Sequence, residues 1–149
     1  MSQYHTEFAS LNDYNKGSIT VIGEDNKKNY VFSNMYEVAA KSAPYERVGI
    51  AKNFEYVIES MRAEGTSDWY SAAHDEFAIA MDHPVTIELI KLEDPDVLGD
   101  PESEGAHKLS GTPAGAKMGH IKLGHGHMAL LPVGAAYRFI ADEAATVMI

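Results

Sequence analysis

The hydrophobic positions of this chain fall into short runs that glycines and polar turns separate, a pattern typical of β-strands. Residues 18–22 and 30–32 are the first of these runs. Residues 77–81 form an apolar run that ends at a polar turn over 82–84, and apolar residues then alternate with polar ones along 85–89. The two runs on either side of this turn predict a β-hairpin.

A polar, glycine-rich stretch interrupts the strands in the second half of the chain. Residues 93–104 carry six acidic side chains and no basic one, and the glycines and prolines of 105–119 continue the predicted loop. Four further strands, separated by turns, are predicted at 121–123, 128–131, 137–140 and 146–149. The last of them is apolar, so we expect it to be tucked into the sheet.

Residues 53–62 fit two kinds of element. Their apolar residues have the spacing of an amphipathic helix, whereas the aromatic and β-branched residues 56–58 favour a strand, and both stay open. The many short strands predict an all-β fold, a barrel or a sandwich, over residues 18–149. Residues 1–17 are polar and mixed, and we expect an N-terminal arm there.

Composition and charge limit the classes of function. The chain has 149 residues, with 22 acidic against 12 basic and a formal net charge of −10, so nucleic acid and anionic membrane surfaces are poor partners. The absence of cysteine excludes disulfides, thiolate catalysis and cysteine-ligated metals. The first residues have no signal-peptide pattern, and no stretch approaches the roughly 18 apolar residues of a spanning helix. We therefore expect a cytoplasmic protein.

Two segments, 65–83 and 126–139, resemble the two motifs of the cupin superfamily. In the second, a glycine, five residues and Pro-x-Gly lead to a ligand position at Tyr137. In the first, the run from His74 to Phe77 leads into an apolar strand. The resemblance implies a single cupin-type β-barrel, or jelly roll.

The cupin resemblance also implies a metal site made of two histidines and a glutamate of the first motif and a histidine of the second. Glu76 keeps its place, but Tyr137 stands at the second-motif position. The first-motif histidine positions fall on Tyr70 and Ala72, or on Trp69 and Ser71 if the spacing is one residue longer. One carboxylate and a phenol cannot hold a divalent metal tightly, so we predict a cupin that has lost its metal.

Tyr70, Glu76 and Tyr137 are the candidate pocket residues, because the cupin alignment points both tyrosines into the barrel. Two phenols and a carboxylate form a polar pocket that could hold a small hydroxylated aromatic by hydrogen bonds and ring stacking. The alternative is that the tyrosines fill the former metal cavity as ordinary packing. Both interpretations stay open.

The histidines allow a further alternative, a metal site with shifted ligands. The candidate ligands are His74, Glu76, His125 and His127. A second arrangement consists of His120, His125 and His127, with Glu76 or His74 as an added ligand if the barrel brings one of them near. The rings of His-x-His share one face of a strand, which suits a metal pair, but exposed histidines in a glycine-rich turn explain the pattern equally well. A Ser-His-Glu catalytic triad could also be drawn from Ser71, His74 and Glu76, although no nucleophile-elbow sequence surrounds the serine.

Beyond the superfamily, four segments are similar to the small subunit of two-component hydroquinone 1,2-dioxygenases: 34–48, 65–70, 74–77 and 126–132. This resemblance implies a metal-free cupin subunit that pairs with a larger cupin subunit in a hetero-tetramer. It implies that the larger subunit carries iron(II) and opens the hydroquinone ring with dioxygen, while this chain has no cofactor and no catalytic residue. Two rivals remain, a free-standing metallo-cupin enzyme and a cupin module that binds a small aromatic.

Overall fold

The computed structural model describes residues 34–53, 56–94 and 105–149. These ranges contain α1 (Met35–Lys41), β1 (Arg47–Asn53), β2 (Tyr56–Thr66), β3 (Tyr70–Ala72), β4 (Glu76–Ala80), β5 (Val85–Leu92), β6 (Ala106–Lys108), β7 (Gly115–Leu123), β8 (Met128–Leu131) and β9 (Ala135–Met148). The predicted arm over 1–17, the runs at 18–22 and 30–32 and most of the acidic loop lie outside the described residues. Within the described ranges, no helix has the length and apolar character needed to cross a membrane.

The nine strands of the described ranges form one sheet, in which the long strand β9 pairs with four others. The first half of β9 pairs with β5, and β5 pairs in turn with β7. At Tyr137, β9 also pairs with β3, whose other partner is β6. The second half of β9 lies between β2 and β4, whose other partners are β1 and β8. The sheet curls around a core that includes Met61, Ile87 and Phe139. The predicted all-β cupin fold is confirmed.

Helix α1 begins at an N-cap and covers one face of β1. The Asn34 side chain accepts hydrogen bonds from the backbone N–H groups two and three residues later, at 3.0 and 3.2 Å. These bonds satisfy two of the donors that the first turn leaves free. Val38 then packs against Val48 and Ile50, so these two residues of β1 are buried under the helix.

The hairpin predicted from 77–81 and 85–89 is wrong. Strand β4 pairs with β8 and β9, whereas β5 pairs with β7 and β9. The turn between them carries the chain from the second half of β9 to its first half, and Asp82 ties the turn to β9. One oxygen of Asp82 accepts hydrogen bonds from the backbone N–H of Thr146 at 2.7 Å and of His83 at 2.6 Å. A short polar turn therefore joins two strands that pair with different parts of β9 and not with each other.

Pairing with neighbouring strands of the sheet decides the remaining elements. The described part of 53–62 is strand and not helix, because it pairs across the β1–β2 hairpin. The predicted loop over 105–119 is wrong in part, since β6 and the first half of β7 lie there. The strands predicted at 137–140 and 146–149 belong to one continuous strand, β9. Ile149 is buried, which confirms that the last apolar residues are tucked into the sheet.

Candidate functional site

The three candidate pocket residues meet inside the barrel. Tyr70 on β3 lies opposite Tyr137 on β9, and their rings stack with centroids 6.3 Å apart and planes at 27°. Glu76 begins β4, where its carboxylate accepts a hydrogen bond from the Tyr137 hydroxyl. A phenol and a carboxylate thus join the two cupin-like motifs at one point.

Arg47 on β1 completes this group, although neither motif indicated it. Its Nη2 donates to the Tyr137 hydroxyl oxygen at 2.7 Å, and its Nη1 lies 3.3 Å from Oε1 of Glu76. The same Nη1 is 3.5 Å from Oε2 of Glu59. The guanidinium also lies 5.3 Å from the centroid of the Tyr70 ring, within cation–π distance. We call Arg47, Tyr70, Glu76 and Tyr137 the inner cluster.

The packing of helix α1 explains why a charged residue faces the barrel interior. Val48 and Ile50 lie under the helix, and successive residues of a strand point to opposite faces. Arg47 therefore points inward, beside its fully buried β2 partner Met61. Arg47 is therefore largely buried although it is charged, with its side chain only 13% exposed.

Burial and charge together set the chemistry of the inner cluster. The side chains of Glu76 and Arg47 are only 8% and 13% exposed, so salt screens their attraction weakly. Burial works to lower the pKa of Arg47, but attraction to Tyr137 and Glu76 outweighs it, and that pKa is raised. Burial and the nearby Glu76 carboxylate raise the pKa of Tyr137 above its ordinary value against the opposing effect of Arg47. Tyr137 therefore stays protonated and acts as a hydrogen-bond donor.

This set of side chains does not fit a bound iron ion. Glu76 is the single carboxylate at the motif positions, and it is already occupied by the Tyr137 hydroxyl and the Arg47 guanidinium. That guanidinium supplies the positive charge that a metal would supply, and it repels a second cation. The described ranges contain no group of three or more histidine, cysteine, aspartate or glutamate side chains that could hold a metal ion.

The candidate ligands of the shifted metal site are not assembled around Glu76. His74 is half exposed, and its Nε2 lies 4.0 Å from Oε1 of Glu76. His127 uses Nδ1 to accept a hydrogen bond from the backbone N–H of Gly124 at 3.0 Å, in the turn that also holds His125. Glu76 therefore lies in the inner cluster with the half-exposed His74 beside it, whereas His120 lies on β7 and His125 and His127 lie in the β7–β8 turn.

The triad drawn from Ser71, His74 and Glu76 is not formed either. The Ser71 hydroxyl is fully buried and donates a hydrogen bond to the backbone oxygen of Ala135 at 2.9 Å. A serine nucleophile needs instead a hydrogen bond to a base. Ser71 therefore ties β3 to the start of β9 and has a structural role.

Comparison with models of known protein families found no match, and comparison with curated proteins found none. Among solved structures, the chain is similar to a chain of hydroquinone 1,2-dioxygenase from Sphingomonas sp. TTNP3 with 4-hydroxybenzoate bound, at 57% identity and a TM-score of 0.77. That match covers 98% of this chain and 87% of the other. A chain of hydroquinone 1,2-dioxygenase PnpCD, in complex with Cd2+ and 4-hydroxybenzonitrile, matches at 44% identity and a TM-score of 0.74, over 98% and 86% of the two chains.

Structures of the same two enzymes also contain a longer chain of similar fold. In PnpCD with Fe3+, it matches at 8% identity and a TM-score of 0.60, over 93% of this chain and 37% of the longer one. In the Sphingomonas sp. TTNP3 enzyme with 4-nitrophenol, the longer chain matches at 8% identity and a TM-score of 0.58, over 93% of this chain and 37% of the longer one. At this identity the likeness shows the fold alone. The two matches at 57% and 44% identity, over nearly the whole chain, show more than a common fold: the chain belongs to the hydroquinone 1,2-dioxygenase family.

Proposed function

We propose that this chain is the smaller, non-metal-binding cupin subunit of an iron(II)-dependent dioxygenase that opens the ring of hydroquinone-type aromatics. A larger cupin subunit holds the iron, and the two kinds of chain assemble as a hetero-tetramer. The 57% identity to a chain of a hydroquinone 1,2-dioxygenase supports the activity, and the longer chain of similar fold in that enzyme supports the assembly. The chain alone is inactive in this proposal.

The position of the Arg47 guanidinium is the observation that carries the metal-free role. It lies 3.3 Å from one oxygen of Glu76, and the Tyr137 hydroxyl donates to the other oxygen. A metal ion at this carboxylate would have to displace a cation that is already paired and largely buried, and breaking such a pair is costly. The inner cluster then braces the barrel in place of a metal, and no step of ring cleavage is assigned to its side chains.

Tyr70 is the member of the inner cluster best placed to meet a substrate. Tyr137 is buried in the core, whereas Tyr70 is only partly buried on the short strand β3. We infer that Tyr70 forms one wall of the aromatic pocket that the larger subunit completes. Tyr137 and Glu76 lie behind it, where the stacked Tyr137 ring fixes the orientation of Tyr70.

Oxygen consumption with hydroquinone tests the proposed function. The assay compares this chain, the longer chain of the Sphingomonas sp. TTNP3 enzyme and a mixture of the two, each with iron(II) supplied. We expect the highest turnover from the mixture, no turnover from this chain alone, and a stable complex in size-exclusion chromatography. Ring cleavage by this chain in isolation, or a mixture that forms no complex, would contradict the proposal.

A further inference from the structure

Strand β7 differs from the other strands in the described ranges because water reaches both of its faces. Every residue from Gly115 to Lys122 is exposed, and burial begins at Leu123. Strand β5 pairs along one edge of β7, and no other strand of the described ranges pairs along the opposite edge. A long edge strand with unpaired backbone groups is a template for a further strand.

A β-bulge presents an apolar side chain on this exposed strand. The register shifts next to Gly119, which leaves Met118 as the extra residue, and its side chain is 52% exposed. Ile121 pairs with the fully buried Ile87 on the core-facing side of the sheet, yet Ile121 itself is 36% exposed. The wall of the barrel is therefore incomplete along β7 in the described part of the chain.

The segment 105–141, which contains β7, has a net positive charge, opposite in sign to that of the chain as a whole. None of the 22 acidic residues lies in 105–141, which holds four of the 12 basic residues and four histidines. Two of these basic residues, Lys108 and Arg138, form ion pairs with acidic side chains. The other two, Lys117 and Lys122, are exposed on β7 and form no ion pair with the side chains that the structure describes.

We propose that the edge of β7 opposite β5, along which no described strand pairs, is the surface on which the larger subunit docks, through an extended segment that carries acidic side chains. This inference rests on the proposed function and adds the location of the interface to it. An added strand would bond to the backbone groups along this edge and cover Met118 and Ile121. Its carboxylates would meet Lys117 and Lys122, so that charge complementarity sets the register of the two strands.

A second copy of this chain is a poorer occupant of the same edge. Two β7 strands related by a two-fold axis would place the Lys117 and Lys122 side chains of one copy close to those of the other. Like charges in opposed positions destabilise a strand pair. Since 105–141 contains no acidic residue, nothing in this segment offsets the repulsion. The longer chains share the fold of this one at only 8% identity, so the like-charge argument against a second copy does not extend to them.

Binding of the longer chain of the Sphingomonas sp. TTNP3 enzyme tests the inference. Met118→Asp places a carboxylate on β7, and Met128→Asp is its matched control because Met128 is an exposed methionine of β8, 64% exposed. We expect Met118→Asp to weaken binding by about tenfold or more, and Met128→Asp to bind like the unchanged chain. Lys117→Glu/Lys122→Glu should weaken binding by a similar factor at low salt and by less at high salt.

Each outcome of this experiment decides the inference. If the unchanged chain does not bind, the proposed function fails and the inference with it. If it binds and both β7 variants bind equally well, the inference is overturned while the proposed function stands. If only Met128→Asp loses binding, the interface lies on β8 and the inference is overturned. The inference is also overturned if this chain alone forms a dimer that Met118→Asp breaks, because a second copy then occupies β7. The lysine variant carries the test if Met118→Asp does not fold.

Discussion

The inner cluster joins side chains that lie far apart along the chain. The cupin resemblance predicted that Tyr70, Glu76 and Tyr137 would point into one barrel, and the structure brings them together. Arg47 could not be predicted, because its contacts with Glu76 and Tyr137 span 29 and 90 residues of chain. Its inward direction depends on which face of β1 the helix covers, and this is a property of packing rather than of the strand's own sequence.

Removal of the Arg47 charge should destabilise the fold through Glu76. In Arg47→Met, the largely buried carboxylate loses its counter-charge, and we expect the free energy of unfolding to fall by about 3–5 kcal/mol in urea denaturation. The double variant Arg47→Met/Glu76→Gln removes both charges and should recover most of that loss. Arg62→Met is the matched control, since Arg62 pairs with Glu64 at the surface, and it should change stability by at most about 1 kcal/mol. Equal losses in the two single variants would contradict a buried ion pair.

The stability of the fold should depend on Tyr137 at alkaline pH. Burial raises the pKa of this phenol in the folded chain above its unfolded value of 10.0. Its contribution is therefore fully present below pH 10 and is lost as the pH rises toward the folded pKa. We expect the free energy of unfolding to fall less steeply from pH 9 to 11 in Tyr137→Phe than in the unchanged chain, as measured by chemical denaturation. Burial also raises the pKa of Tyr45, to about 12, in both proteins, so identical slopes would contradict a shifted Tyr137.

A Tyr70→Leu variant tests the proposed pocket wall in the assembled enzyme. Loss of the ring and its hydroxyl should raise the KM for hydroquinone by about tenfold, while the complex with the longer chain stays intact. Tyr36→Leu is the matched control, because Tyr36 is a tyrosine of helix α1 that is 46% exposed and lies outside the inner cluster. If both substitutions change the KM equally, or if neither changes it, Tyr70 is not part of the substrate pocket.

At the level of elements, local pattern predicted strands well and their partners poorly. The apolar runs of β4, β5 and β8 were visible in the sequence, because each buries alternate residues against the core. The end of β7 was predicted at 121–123, but its polar and glycine-rich earlier part gave no such signal, since that part is exposed and exists by pairing with β5. The false hairpin has the same cause, because a turn sequence does not show whether the next strand pairs with the preceding strand or with a different one.

The β5–β7 pair should be sensitive to a single methyl group at Gly115. A Cβ added there would lie 2.1 Å from the backbone oxygen of Lys91 and 2.7 Å from the Ile90 side chain. We expect Gly115→Ala to lower the free energy of unfolding by about 1–3 kcal/mol in urea denaturation. At Gly124 the added Cβ would meet only the His127 ring, at 3.4 Å, so Gly124→Ala should change stability by less than about 1 kcal/mol. If both variants are equally stable, β7 does not pack on β5 as described.

At the scale of the whole molecule, the features that remain unexplained within one chain point to a partner. The barrel interior is closed by an arginine-centred cluster, while β7 leaves a basic, partly apolar edge open to water. The cluster and the exposed strand both fit the proposed function, in which the larger cupin subunit binds the metal and this chain supplies structure and a contact surface. The sequence predicted the loss of the metal ligands, but an interface also depends on the surface of the other chain.

Metal analysis of the isolated chain, purified after expression in iron-supplemented medium, tests the central claim most directly. Glu76→Gln serves as the paired variant, because it removes the one carboxylate that keeps its motif position. We predict that neither protein contains iron, since the Arg47 guanidinium already neutralises this carboxylate. Stoichiometric iron in the unchanged chain that disappears in Glu76→Gln would contradict the account and make this chain a metalloenzyme in its own right.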